Sequence, residues 1–434
     1  MRMKKQIAVF LSLAMAATAC SPAFAGETEA QTEGQASGGA FIAGAETEAD
    51  VTIPSDMKFG FIFLHDENST YDLNFINGAK EAAKELGLSD DQIILKTNVP
   101  EGQECYETAA DLADQGCAAV FADSFGHEDY MIQAAQEYPD VQFCHATGTK
   151  AHTEGLSNYH NAFAAIYEGR YLAGVAAGMK LNEMIKDGKI TEDKAKIGYV
   201  GAFTYAEVIS GFTSFFLGAR SQCPSATMEV TFTGSWYDET AEKEGAKNLI
   251  NDGCVLISQH ADSMGAPTAC EEAGVPDVSY NGSTQDACPN TYLISSRIDW
   301  APYMKFMMQS VAEGKEIPAD WTGTLASGSV KLTDLNTSVA AEGTQEKLDE
   351  VTKELEAGTV HVFDTSAFTF KGAALDDSYL ADVDTDDNYT PDTKVVSDGY
   401  FHESEYRSAP YFDLVDADNA AGIDGIKLLD TNFG

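Results

Sequence analysis

The chain has 434 residues, 44% of them hydrophobic, and carries 69 Asp and Glu against 27 Lys and Arg, a net charge of −42. That length suits two or three domains with substantial cores. No basic run follows Lys5, which excludes a nucleic-acid binder, since that needs a cationic footprint, and the acidic surface is repelled by anionic lipid.

The first 25 residues have the form of an export signal: Arg2, Lys4 and Lys5, an apolar stretch from Ile7 to Ala19, then small residues. The apolar stretch is too short for a membrane span. Two processing sites compete. Ala17-Thr18-Ala19-Cys20 resembles a bacterial lipobox with Cys20 as the lipidated residue, and Ala23-Phe24-Ala25 suits ordinary signal peptidase. Both readings place the product outside the cytoplasm, tethered or free. Residues 26–55 are mostly Gly, Ala, Glu, Thr and Gln and read as a flexible spacer.

Met57 to His65 is almost wholly apolar, as in a strand covered on both faces of a parallel sheet. The loop Asp66–Asp72, a helix ending near Gly87, the strand Ile93–Thr97 and the helix Tyr106–Gln115 follow. Next comes a repeated unit: Leu112, Gly116, Cys117, Pro139, Asp140 and Val141 recur 137 positions later as Leu249, Gly253, Cys254, Pro276, Asp277 and Val278. In each copy a helix ends at Gly, a short strand follows (Cys117–Ala122, Cys254–Ser258), and a polar turn leads to a second helix and strand. Two such units predict an α/β protein of two doubly wound parallel-sheet lobes.

Lobe one is expected over 56–160 with a return of about 297–330, and lobe two over 161–296. Asn158–Ala165 is expected to cross between them. Ile166–Asp187 reads as a long helix whose Ala173, Gly174, Ala177 and Gly178 permit close packing. Lys196–Phe203, Val208–Arg220, Met228–Gly234 and Thr240–Asn251 continue the alternation. Val278–Asn281 and Tyr292–Ser296 read as strands, Pro302–Glu313 as a helix returning to lobe one, Leu325–Leu332 as a further strand and Thr344–Ala357 as an amphipathic helix. Within 331–434 the chain turns acidic beyond Gly372 and reads as a surface extension, its aromatics packing back onto a lobe. Cys117, Cys144 and Cys254 fall in strands as small hydrophobes, and a Cys270–Cys288 disulfide is possible.

No nucleophile elbow, phosphate loop, zinc motif or dinucleotide fingerprint occurs, and Asp382–Asp387 lacks the Gly and Glu of a calcium loop. No enzyme, metal or cofactor is expected. Ligands of open α/β sheets bind beyond the carboxyl ends of the strands. Aromatic and polar side chains recur there: Tyr71, Asp72, Phe125, Asn161, Phe203, Tyr205, Trp236, Asp238, His260, Asp262 and Asn281 are the candidate ligand-binding residues. Rings would stack on a flat ligand and the polar groups would read its edges.

Four of these stretches carry a family resemblance: Thr70-Tyr71-Asp72 with Gly78, Glu168-Gly169-Arg170-Tyr171-Leu172-Ala173-Gly174, Gly234-Ser235-Trp236-Tyr237-Asp238, and Gln259-His260-Ala261-Asp262-Ser263. From about Met57 to Leu335 the chain resembles the basic membrane protein (BMP) family of substrate-binding lipoproteins. The resemblance implies a type I periplasmic-binding-protein fold, an ABC importer permease as partner, a membrane anchor if Cys20 is acylated, and a purine base or nucleoside as ligand. It places Tyr71 as a stacking ring, Asp72 where the family carries Asn, an aromatic of Phe203–Glu207 as the opposing ring, and Asn281 where members often carry Asp. The alternatives are a same-fold receptor for a sugar or an amino acid, the latter needing Arg170, Arg220 or Arg297 in the crevice, and an exported nucleoside hydrolase.

Overall fold

A computed structural model describes residues 39–44, 51–384 and 390–429. The export signal, Cys20, most of the spacer and part of Asp382–Asp387 lie outside them. Lobe one is built on strands β1 (Phe41–Ile42), β2 (Lys58–Ile62), β3 (Ile93–Lys96), β4 (Cys117–Ala122), β5 (Gln142–Ala146) and β6 (Tyr159–Ala164). Its helices are α1 (Thr70–Glu85), α2 (Gln103–Asp114), α3 (Glu128–Glu137) and the short α4 (Ala151–Glu154). The long α5 (Ile166–Lys186) leads to β7 (Lys196–Gly201), α6 (Ala206–Gln222), β8 (Thr227–Phe232), α7 (Glu239–Asn251), β9 (Leu256–His260), α8 (Gly265–Ala273), β10 (Asp277–Tyr280) and β11 (Tyr292–Ile298). Then come α9 (Ala301–Glu313), β12 (Asp320–Gly323), β13 (Val330–Leu332) and α10 (Thr344–Glu356).

The two sheets share one plan. Sheet one runs β1-β12-β6-β5-β4-β2-β3, and sheet two runs β13-β11-β10-β9-β7-β8 and ends on a last strand, Ile426–Leu428. All pairings in these two sheets are parallel except β11 with β13. The repeated units hold equivalent places: β4 lies beside β2, and β9 beside β7. Because the sheets exchange strands, the chain passes between lobes after β6, after β11 and between β12 and β13.

Several expectations need correction. Tyr159–Ala164, expected as the crossing, is a full strand of sheet one. Tyr71 and Asp72 belong to the first turn of α1, where the Ser69 side chain accepts from the Asp72 N–H as an N-cap. The stretch read as one strand from Leu325 contains only Val330–Leu332; its first half is a turn, and the sheet-one strand β12 precedes it. Phe41–Ile42, inside the expected spacer, pairs with β12. Cys270 and Cys288 form no disulfide: all seven cysteines among the described residues are buried and free.

Residues 373–380 are mostly exposed, as expected of a surface stretch, and the aromatics beyond them pack back onto lobe two. Phe401, Tyr411, Phe412 and Leu414 are buried in the lobe-two core with Phe363 and α10, and Ile426–Leu428 completes that lobe's sheet. A ring cluster closes it, with Phe363 4.4 Å and Phe401 4.8 Å from Phe412. The aromatic residues, not the acids, bury area there.

Helices α5 and α6 cross almost backbone to backbone. A Cβ on Gly174 would stand 2.0 Å from the Phe215 carbonyl oxygen, and one on Gly218 would stand 2.0 Å from that of Tyr171. No side-chain motion relieves such a clash. Gly174→Val is expected to cost about 3 kcal/mol, the upper end of the overpacking range, read as a lower urea midpoint with unchanged m.

Glu403, held in the interior with Ser210 donating to it, has its carboxyl raised from 4.5 to about 7, chiefly by burial. The fold prefers its protonated form. The stability it lends is therefore complete below about pH 4.5 and is lost as the pH climbs through 7. Glu403→Gln fixes the uncharged form, so the wild type should melt higher, relative to this variant, at pH 5 than at pH 7.5. Circular-dichroism melts that show the same gap at both pH values would contradict this.

Candidate ligand-binding cleft

The strand ends of both sheets face one cleft of about 450 Å³, open rim included. Lobe one lines it with Leu64 and His65 after β2, Tyr71 and Asp72 on α1, Ser124 and Phe125 after β4, and Thr147 after β5. Lobe two contributes Glu207 at the start of α6, Trp236 after β8, His260 and Asp262 at and beyond the end of β9, and Tyr280 ending β10. The lobes also touch around it: Thr70 Oγ1 donates to the Asp262 carbonyl at 3.2 Å, and the Phe125 and Tyr205 rings lie 5.7 Å apart.

Each wall group is held by its neighbours. Tyr71 donates to the Asp123 carbonyl at 2.7 Å and its ring packs 4.9 Å from Phe75, which fixes the ring's orientation. Asp72 accepts from the His65 N–H at 2.7 Å and from Ser69 Oγ at 2.6 Å. Burial pulls the Asp72 carboxyl up, but the bonds from His65 and Ser69 outweigh it and the carboxyl stays below its usual range. The His65 imidazole, its Nδ1 3.5 Å from Asp72 Oδ2, is raised by that side-chain contact. Behind them Asp123, fully buried and accepting from the Leu64 N–H at 3.1 Å, is raised well above the usual range by desolvation and then by the Asp72 charge.

Across the cleft, burial and then the nearby Glu242 charge raise Asp262, keeping it toward its protonated form. The His260 ring lies 4.1 Å from Tyr280, with Glu207 3.5 Å from its Nε2. Burial lowers the His260 pKa. No Lys or Arg lines this inner cleft.

Six of the eleven candidates line the cleft: Tyr71, Asp72, Phe125, Trp236, His260 and Asp262. The other five do not. Asn161 sits in mid-strand on β6, donates to Glu128 and accepts from the Ala151 N–H, so it shapes the loop after β5. Asp238 is spent as the N-cap of α7, accepting from the Ala241 N–H. Asn281, at φ +62°, donates to Asp262 Oδ1 at 3.1 Å and accepts from Asn74 of lobe one through its carbonyl. Phe203 stacks on Tyr205 and meets Trp236 edge-on at 5.3 Å, so it buttresses the ring instead of presenting one. Tyr205 lines a second, outer compartment that opens from the first.

Glu207, Tyr280, His65 and Thr147 were missed, although each stands one to four residues from a strand end that the sequence marked. The three arginines an amino-acid receptor would use lie elsewhere. Arg170 is buried inside lobe two, donating to Tyr199, Ser258 and the Ser279 carbonyl between the rings of Phe215 and Tyr280. Arg220 donates to the Asp424 carbonyl, and Arg297 lies 3.5 Å from Asp299.

Solved structures share this architecture. A solute-binding protein of an ABC transporter system from Aeropyrum pernix superposes with a TM-score of 0.59 at 17% identity, over 71% of this chain and 93% of that one. One from Conexibacter woesei gives 0.55 at 19%, over 70% and 98%. A putative ABC transporter glucose-binding protein of Haloferax volcanii is 34% identical over 259 residues, 58% of this chain. A purine-binding protein of Brucella abortus is 32% identical over 256 residues, 59% of this chain. The matches span 62% and 66% of those two relatives' own lengths. The Bmp family model, described as ABC transporter substrate-binding protein, PnrA-like, matches residues 62–361. The fold is thus the type I periplasmic-binding fold, and the chain belongs to the Bmp family of ABC transporter substrate-binding proteins.

Proposed function

We propose that the protein captures a purine base or nucleoside outside the cytoplasm and delivers it to the permease of an ABC importer. The observation that carries this reading is one cleft walled by rings from both lobes, Tyr71 and Phe125 against Trp236 and Tyr280, with carboxyl groups at its edges. A planar heterocycle suits such rings. Asp72, ionised, accepts from a ring or exocyclic N–H, while Asp262, kept toward its neutral form, can donate to a ring nitrogen. The purine-binding relative from Brucella abortus supports the same ligand class.

A sugar is the second reading, favoured by the glucose-binding name of the Haloferax relative and by the way carboxylates and aromatic faces also serve hydroxyl-rich rings. An amino acid is disfavoured, because its carboxylate finds no arginine or lysine in the inner cleft. Binding without chemistry is the role of the family. Attachment through Cys20 belongs to this proposal too; an intact mass that carries a lipid on Cys20, and not a chain beginning at Gly26, supports it.

Calorimetry with adenine, adenosine, inosine, guanosine, glucose and galactose tests the ligand. A purine compound should bind tightly and the hexoses should not; heat from a hexose alone would replace this reading by the second. Trp236→Ala should weaken purine binding about 10- to 100-fold, in line with about 1–3 kcal/mol per stacked base. An unchanged Kd would remove Trp236 from the site.

A further inference from the structure

The family match ends at residue 361, yet the later chain returns to the cleft. Phe401 enters the lobe-two core, and Tyr411 and Phe412 re-enter it. Between them the loop Glu403–Pro410 leaves lobe two and docks on lobe one. There Ser408 donates to Asp320 Oδ1 through both its N–H, at 2.9 Å, and its hydroxyl, at 2.8 Å. Thr322 Oγ1 donates to the Ser404 carbonyl at 3.2 Å, and the Ala40 N–H to the Glu405 carbonyl at 3.0 Å. These partners lie on β12 and beside β1, both in sheet one. At its root the loop is tied to lobe two, where Ser210 of α6 donates to Glu403.

The loop is stiff. Arg407, only 6% exposed, donates to the carbonyls of Val383, Ala409 and Pro410, which fixes the turn from inside. Arg407, Ala409 and Pro410 also form one side of the outer compartment, about 1070 Å³ with its open rim. Its other sides are Thr147, Thr149 and Lys150 of lobe one and Thr204 and Tyr205 of lobe two. Phe125, Thr147, Glu207 and Trp236 are shared with the inner cleft, so the two spaces are continuous.

We propose that the loop Glu403–Tyr411 is part of the ligand site: it walls the outer compartment and clamps the two lobes together across it. The inference rests on the reading of the cleft as a ligand site. The three covalent crossings form a hinge, which leaves the lobes free to part on its far side. The clamp adds a non-covalent tie to the Thr70–Asp262 and Asn74–Asn281 bonds between the lobes, and an opening that draws the loop off β12 breaks its bonds there. It therefore slows release of any bound compound, and it favours one whose ring fills the inner cleft and whose polar end reaches the hydroxyl-lined outer space.

Two variants test this on the full chain. Asp320→Ala removes the lobe-one anchor and Ser210→Ala the lobe-two anchor; neither residue lines the inner cleft. Asp320→Asn, which keeps an acceptor oxygen facing Ser408, should retain most of the tie. Stopped-flow tryptophan fluorescence with inosine as the probe should show release about tenfold faster in Asp320→Ala, as loss of a hydrogen-bond pair to a carboxylate requires, with Asp320→Asn near wild type. Small-angle scattering without ligand should show a larger radius of gyration for both alanine variants. Circular dichroism establishes that each variant is folded. An unchanged radius of gyration in both folded variants overturns the clamp. If no purine compound binds the wild type, the ligand reading fails by itself, and the scattering comparison, which uses no ligand, still decides the clamp.

Discussion

The glycine-mediated crossing of α5 and α6 is the constraint on which the rest of the structure depends. Helix α5 begins where the last early strand of lobe one ends and is then packed into lobe two. Its position relative to α6 therefore sets how the chain leaving sheet one is seated in lobe two. With Gly174 and Gly218 each seated against the partner backbone, that relation is set by main-chain contact, which side-chain rotamers cannot relax. Helix α6 begins at the cleft with Glu207, so the packing that seats α5 in lobe two also positions a carboxylate at the site.

Arg170 extends the same logic. It projects from α5 into lobe two, donates to the strands β9 and β10 through Ser258 and Ser279, and lies among the rings of Tyr199, Phe215 and Tyr280. Those strands end in His260 and Tyr280, two walls of the cleft. The buried guanidinium is met by hydroxyls, a carbonyl and π faces, so its N–H groups find partners inside the lobe. What looked in the sequence like a helix-packing stretch, Glu168 to Gly174, thus supports the binding wall through its one arginine.

The architecture was legible because parallel strands buried on both faces leave uninterrupted apolar runs, and because the repeat marks the same strand in each lobe. Met57–His65 and Lys196–Phe203 were read correctly as opening strands for that reason. Asp320–Gly323 was not, since its Asp and Thr are satisfied by Ser408 and Ser404, almost ninety positions away, and no local pattern signals such partners. In the cleft, strand-end position identified the neighbourhood but not the facing. Tyr280 lines the site while the adjacent Asn281 turns away to hold Asp262 and Asn74; only the left-handed backbone at Asn281 decides between them. In the tail the rings were read correctly as packing back onto a lobe, while the last strand, Ile426–Leu428, was not foreseen, because three residues give no periodic signal.

The seven buried thiols have an effect on where this fold can form. Burial raises Cys117 and Cys288 to about 11 and Cys144 and Cys254 to about 12, far from any population of reactive thiolate at neutral pH. Neither stability nor the shape of the cleft is tied to an oxidising environment. Among the described residues no disulfide has to form for the lobes or the cleft to take this shape, so nothing in them calls for a disulfide-forming catalyst.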